Sequence, residues 1–109
     1  MKQQAIYVFA RWQVKKEHLQ EVMKLLPDVA NSSKKEEGNL FYKVHQSEAD
    51  PHTLLLFEGY RNKEALDKHR TSAHFNALVV DQIVPLLENR EVVVTQELWP
   101  DEPATATSR

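Results

Sequence analysis

The chain has no cysteine, two glycines among 109 residues, and no apolar run approaching the roughly 20 residues of a membrane-spanning helix. The first absence excludes disulfides, thiolate metal sites and a cysteine nucleophile. The second excludes glycine-rich phosphate loops, which need several glycines within a few residues. Excess positive charge is lacking as well: 14 Lys and Arg stand against 16 Asp and Glu, a formal net charge of −2. Nothing in that balance favours nucleic acid or an anionic membrane as partner. The basic pairs Lys15-Lys16 and Lys34-Lys35 are followed by Glu17 and by Glu36-Glu37, so both stretches read as solvated helix ends. Met1-Lys2-Gln3-Gln4 leads straight into a strand-like run with no small-residue cleavage site. The expectation is a soluble cytoplasmic protein.

What is present builds one domain, residues 1–99, followed by a tail at 100–109 without large apolar residues. That tail is expected to be disordered, or an arm ordered only by a partner. From Ala5 to Val14 the chain alternates: Ile6, Val8, Ala10, Trp12 and Val14 share one face, and Tyr7, Phe9, Arg11 and Gln13 the other. From Lys16 the period lengthens, and Leu19, Val22, Met23, Leu26, Val29 and Ala30 form a helix face, with Pro27 predicting a kink or break. Gly38 is expected to end this helix in a left-handed cap. Leu40, Tyr42 and Val44 oppose Phe41, Lys43 and His45 on a second strand, and Thr53 to Tyr60 forms a third. Asn62 caps a short helix with Ala65, Leu66 and His69 on its inner face. Thr71-Ser72 opens another, with Phe75, Leu78, Val79, Ile83, Leu86 and Leu87 inward and Pro85 fraying its end. Glu91 to Trp99 is the fourth strand.

The order β-α-β-β-α-β predicts an α+β, ferredoxin-like fold with a four-stranded antiparallel sheet. Helices on one face leave Tyr7, Phe9, Phe41, Leu55, Phe57 and Val93 on the other. Leaving such a surface in water costs roughly 25 cal/mol per Å², and large apolar patches mark interfaces. A homodimer packed sheet on sheet is expected.

Glu58 shares strand parity with Leu54 and Leu56, the buried side, where a carboxylate is costly unless paired. It is either a strand-end carboxylate bonded to a backbone amide or to Arg61, or part of a functional site. His69, inward on its helix, could face Glu58, which would raise the imidazole pKa and give a proton acceptor; the alternative is a hydrogen-bonded core histidine. His74 caps its helix or lines a pocket. His45 falls on the interface side, and His18 and His52 read as exposed. His69 and His74 are five apart with a cap between them, which argues against a metal pair. Trp12, Tyr42, Tyr60 and Phe75 suit the wall of a small-molecule pocket, or simply a core.

Glu37-Gly38-Asn39-Leu40-x-Tyr42, Pro51, Glu58-x-Tyr60, Ala65-Leu66-x-x-His69 and Ser72-x-His74-Phe75 together resemble the antibiotic biosynthesis monooxygenase family over about residues 5–98. The resemblance implies dimeric α+β barrels whose protomers hold a pocket between sheet and helices. By the resemblance Tyr42, Glu58, His69 and His74 would be the pocket's polar residues. With the pocket reading above, the expected site is Glu58, His69 and His74 as catalytic candidates and Trp12, Asn39, Tyr42, Tyr60 and Phe75 around the substrate, with neither cofactor nor metal expected. Some members oxidise quinols or anthrones with O₂ alone; others degrade haem, and one isomerises a phosphorylated compound. The haem-degrading branch relies on an Asn in the first strand and a Trp in the segment after the third; here the first strand offers Phe9-Ala10-Arg11 and no Trp follows Glu58 before Trp99, which disfavours that branch.

Three readings follow. A cofactor-independent monooxygenase would use His69, oriented by Glu58, to ionise a phenol, quinol or anthrone for reaction with O₂. An isomerase or tautomerase would use the same pair on a small carbonyl compound, with Arg11, Lys43 and Arg61 as candidates for holding a phosphate. A binding module would take a small ligand without chemistry.

Overall fold

The computed structural model describes residues 4–99. Strands β1 (Ile6–Val14), β2 (Asn39–Gln46), β3 (Thr53–Tyr60) and β4 (Leu87–Thr95) form one sheet in the order β2-β3-β1-β4, with every neighbouring pair antiparallel. Helices α1 (Leu19–Lys34) and α2 (Lys63–Arg70), with a π-helical segment at Phe75–Ile83, complete the expected β-α-β-β-α-β order. The fold is α+β and ferredoxin-like. Among the described residues no helix is long and apolar enough to cross a membrane. The expectation of a disordered tail at 100–109 lies outside the described residues.

Period-two alternation gives β1 and β3 their two faces. Ile6, Val8, Ala10, Trp12 and Val14 are all buried under the helices, and so are Leu54, Leu56, Glu58 and Tyr60. Opposite them, Phe9, Leu55 and Val93 are almost half exposed on a face that no helix covers. Rings there pack on one another, Phe9 stacked on Phe57 at 4.6 Å and Phe41 tilted against Phe57 at 4.7 Å. Gly59 makes room for this: a Cβ on it would lie 2.5 Å from the Phe41 ring.

Several expectations are corrected by the backbone. Helix α1 continues through Pro27 without a break; its buried stripe is Val22, Leu26, Val29 and Ser33, while Met23 faces solvent. Gly38 is no left-handed cap, since no described glycine has positive φ. It is small because the lead into β2 presses on α2: a Cβ on Gly38 would stand 2.3 Å from the Cβ of Ala65. Leu40 does not share a buried face with Tyr42. A bulge between Asn39 and Phe41 pairs Asn39 with Tyr60, leaving Leu40 as the extra residue, 51% exposed. The inward residues Phe75, Val79, Ile83 and Leu87 recur every fourth position, and the chain winds with i→i+5 bonds such as Val84 N–H to the Val79 carbonyl. The fourth strand begins at Leu87 rather than Glu91 and ends at Thr95. Pro85 closes a 3-10 turn, and the chain is extended from there.

Candidate active site

Two apolar clusters fill the space between sheet and helices. One is built on Trp12, Val22, Leu26, Tyr42, Leu54, Leu56, Val79 and Ile83; the other gathers Ile6, Val8, Tyr60, Ala65 and Leu66. Glu58 and His69, 6% and 2% exposed, belong to neither and occupy the seam between them. Glu58 lies on β3 between Leu56 of the first cluster and Tyr60 of the second. The His69 ring is 6.0 Å from that of Tyr42, 5.2 Å from that of Tyr60 and 4.9 Å from that of Phe75.

The local sequence explains how His69 arrives there. Asn62 accepts the Ala65 N–H at 2.8 Å and starts α2, so Ala65, Leu66 and His69 fall on its inner side. At the other end Ser72 turns the chain. Its hydroxyl donates to the His69 carbonyl at 2.7 Å and accepts the Phe75 N–H at 3.2 Å. The turn folds His74 back beside His69, with ring centroids 6.1 Å apart. Helical spacing alone would have kept them apart.

Glu36 joins the two histidines. Its Oε2 lies 2.8 Å from His69 Nδ1 and 2.6 Å from His74 Nε2. This residue reads in sequence as part of a solvated charge run, yet its side chain is 17% exposed, and its Oε1 is buried without a hydrogen-bond partner. His69 is therefore held by Glu36, not by Glu58 as the strand and helix patterns suggest. With Nδ1–H donating to Glu36, Nε2 is the nitrogen that faces Glu58, 3.9 Å from its Oε1. No periodicity signals Glu36, because it lies in the irregular link between α1 and β2.

Burial pushes the Glu58 carboxyl up to about 7, against the opposing pull of the hydrogen bond from Tyr60 and of the Arg70 charge. Tyr60 donates to Glu58 Oε1 at 2.7 Å; this, and not Arg61 or a backbone amide, is the partner of the buried carboxylate. Burial lowers the pKa of His69 below its ordinary value, more than the bond to Glu36 raises it. The expected upward shift is thus reversed. Burial raises the phenol of Tyr42 as well, with Glu58 adding to the effect. Near neutral pH the site holds an uncharged imidazole next to a carboxyl close to half protonated, which is a base beside an acid.

These groups surround a small cavity of about 40 Å³ that Trp12, Tyr42, Glu58 and His69 share with Phe75, room for a few waters or one end of a ligand. Arg70, Phe75, Arg90 and Val92, which also line this cavity, bound a wider hollow of about 450 Å³ beside it. The structure thus brings together Glu58, His69, Trp12, Tyr42, Tyr60 and Phe75, with His74 one step behind through Glu36. Asn39 stands apart: its amide donates to the Phe41 carbonyl at 3.1 Å and serves the bulge. The cations expected near a substrate are elsewhere. Arg11 and Lys43 lie on the open face of the sheet, and Arg61 borders a separate hollow with Gly38 and Lys68. His18 and His52 are half-buried, and His52 bonds the Lys16 carbonyl. Glu36 Oε2, His69 Nδ1 and His74 Nε2 lie within 4.8 Å of one another, a donor set that could hold a divalent cation; the spacing argument against a metal pair did not foresee the turn at Ser72.

A model of the antibiotic biosynthesis monooxygenase family matches residues 5–80. The Mycobacterium tuberculosis protein Rv0793 is 34% identical over 70 residues, which are 64% of this chain and 68% of that one. Its solved structure superimposes with a TM-score of 0.80 over 86% of this chain and 95% of that chain. A conserved protein from Methanosarcina mazei Go1, 31% identical, gives 0.82 over 87% of this chain and 94% of its own. PA3566 from Pseudomonas aeruginosa, 23% identical, shares the fold with a TM-score of 0.82, covering 90% of this chain and 98% of its own.

Proposed function

Because the chain belongs to the antibiotic biosynthesis monooxygenase family, we propose that it is a cofactor-independent monooxygenase that oxidises a small quinol, phenol or anthrone-like substrate with O₂. Family membership carries the coarser statement, a monooxygenase-like function on a small molecule. The observation that favours the finer one is the orientation of His69: Glu36 holds Nδ1 and leaves Nε2 towards the cavity beside Glu58.

Nε2 takes the proton of a substrate hydroxyl, and Glu36 stabilises the imidazolium that forms. The resulting phenolate or enolate is electron-rich enough to pass one electron to O₂, and recombination at a ring carbon forms a C–O bond and a hydroperoxide. Breaking the O–O bond leaves one oxygen on the product and releases the other as water. For a hydroquinone the products are a hydroxyquinone and one water, and the substrate supplies every electron. Glu58, protonated in part near neutrality, is placed to return a proton to the departing oxygen. Tyr42 and Trp12 face the end of the cavity where substrate oxygens would lie.

The open face of the sheet fits a second copy of this chain. Its hollow is lined by Phe9, Leu55, Phe57 and Val93, with Arg11 and Glu91 paired across β1 and β4 at its rim. Opposite charges on one patch are self-complementary about a two-fold axis. A homodimer through this face is accordingly part of the proposed function.

O₂ uptake with a panel of hydroquinones and anthrones, without added flavin or metal, tests the reading. Uptake that disappears in His69→Ala supports it, and no uptake across the panel overturns it. The neighbouring acid and base also suit an isomerase acting on a small carbonyl compound. That activity would show as hydrogen exchange from solvent into substrate under argon.

A further inference from the structure

Two arginines and an apolar floor at the pocket's mouth, and one buried donor at its base, donate and accept no proton in that transfer. Arg70, just outside the inner face of α2, and Arg90, on β4 opposite Trp12, both border the 450 Å³ hollow. Among the described residues neither guanidinium takes part in an ion pair or a side-chain hydrogen bond. Between them the hollow is apolar, floored by Phe75 and by Val92, which is 38% exposed because no helix covers that end of β4. Deeper in, Trp12 is 3% exposed, yet its indole N–H has no partner. A buried donor without an acceptor is costly, and the cost is recovered when a ligand oxygen reaches it.

We infer that this pocket selects aromatic substrates bearing an anionic substituent, a carboxylate held by Arg70 and Arg90, with a ring oxygen accepting from Trp12 Nε1 at the inner end. The ring lies across Phe75 and Val92. Planar guanidinium groups are suited to a carboxylate because they offer parallel N–H donors. Two guanidinium groups at the mouth that no ion pair or side-chain hydrogen bond holds among the described residues, and one orphan donor at the base, set both ends of the ligand. The apolar span between them sets its middle. This inference names the substrate class for the oxygenase reading and rests on that reading only for the claim that the ligand is turned over.

The test is equilibrium binding by calorimetry under argon, comparing 2,5-dihydroxybenzoate with 1,4-dihydroxybenzene. These share the quinol and differ by one carboxylate. The acid should bind about tenfold more tightly at low salt, and the preference should shrink as ionic strength rises. Arg70→Gln and Arg90→Gln should each reduce the preference several-fold, and the double variant should abolish it. Both arginines are exposed, so these variants leave the core alone. Trp12→Phe should weaken both ligands by a similar factor. Equal affinity for the two ligands, or binding of neither, would overturn the inference; so would a preference that survives in the double variant. Binding with the stated preference but without O₂ uptake in air would overturn the oxygenase reading and leave the anion subsite standing.

Discussion

The two faces of the sheet are made from the same strands and do opposite things. Along β3, Leu54, Leu56, Glu58 and Tyr60 are at most 6% exposed, while Leu55 between them is 45% exposed. The covered face carries a polar network in a seam between two apolar clusters; the open face carries stacked rings and no buried charge. Side chains of a strand alternate strictly, so each face is specified by every second residue. The covered face tolerates a carboxylate and an imidazole because Tyr60 donates to the first and Glu36 accepts from the second. The other face leaves Phe9, Leu55 and Val93 uncovered beside Arg11 and Glu91, an apolar patch with a charged rim that suits the self-association proposed above.

The largest effect should come from the covered face. His69→Ala removes the base, and kcat for O₂-dependent turnover should fall by about 10²–10⁴. The core should survive, as a thermal melt close to that of the parent would show. Next comes the open face. Leu55→Asp sets two carboxylates near a two-fold axis and should weaken self-association by on the order of 10². Sedimentation should then show a monomer whose circular dichroism is unchanged. If that variant unfolds instead, the open face belongs to the fold and the contrast between the faces fails.

A third experiment separates stability from chemistry. Glu58 titrates at about 7 in the fold against an ordinary value of 4.5. Between these values the folded chain holds a proton that the unfolded chain has lost, so stability contributed by this group falls as pH rises from about 4.5 to 7 and is level above that. The full penalty is on the order of 3 kcal/mol. Glu58→Gln, which stays neutral, should therefore be more stable than the parent at pH 8 by that order, with the gap closing towards pH 4.5. Urea denaturation at the two pH values measures it. His69 works in the opposite sense: its lowered pKa favours the fold above the unfolded value near 6.5 and opposes it below. The smallest effect is Asn62→Ala, which removes the cap of α2 for a loss of about 1 kcal/mol by the same urea measurement.

Most of this architecture is legible in the sequence because it rests on periodicity. The alternation of β1 and β3 fixes both faces, and Asn62 marks the start of α2 with His69 inward. The parity of Glu58 is enough to place it in the interior. Tertiary proximity is not legible in this way. Glu36 sits among Lys34, Lys35 and Glu37, where a charge run looks solvated, and only the fold brings it against two histidines. The turn at Ser72 that returns His74 to His69 depends on one hydroxyl satisfying a carbonyl and an amide at once. Arg70 and Arg90 are twenty residues apart in the chain, on a helix and a strand, and nothing local marks them as a pair. The bulge at Leu40 shifts parity by one residue, so Asn39 leaves the position that simple alternation would give it.

The close approach of Gly38 to Ala65 has a consequence at a distance. Glu36 lies two residues before Gly38, and His69 lies one helical turn after Ala65, so both ends of the Glu36–His69 bond are tied to the place where two backbones nearly touch. That contact acts as a gauge block, setting the separation of carboxylate and imidazole by the thickness of a missing side chain. A methyl group at position 38 would remove no chemical group from the pocket, yet it would wedge α2 outwards and lengthen the bond that orients His69. A mutational scan reading activity alone would score Gly38 as though it were part of the reaction.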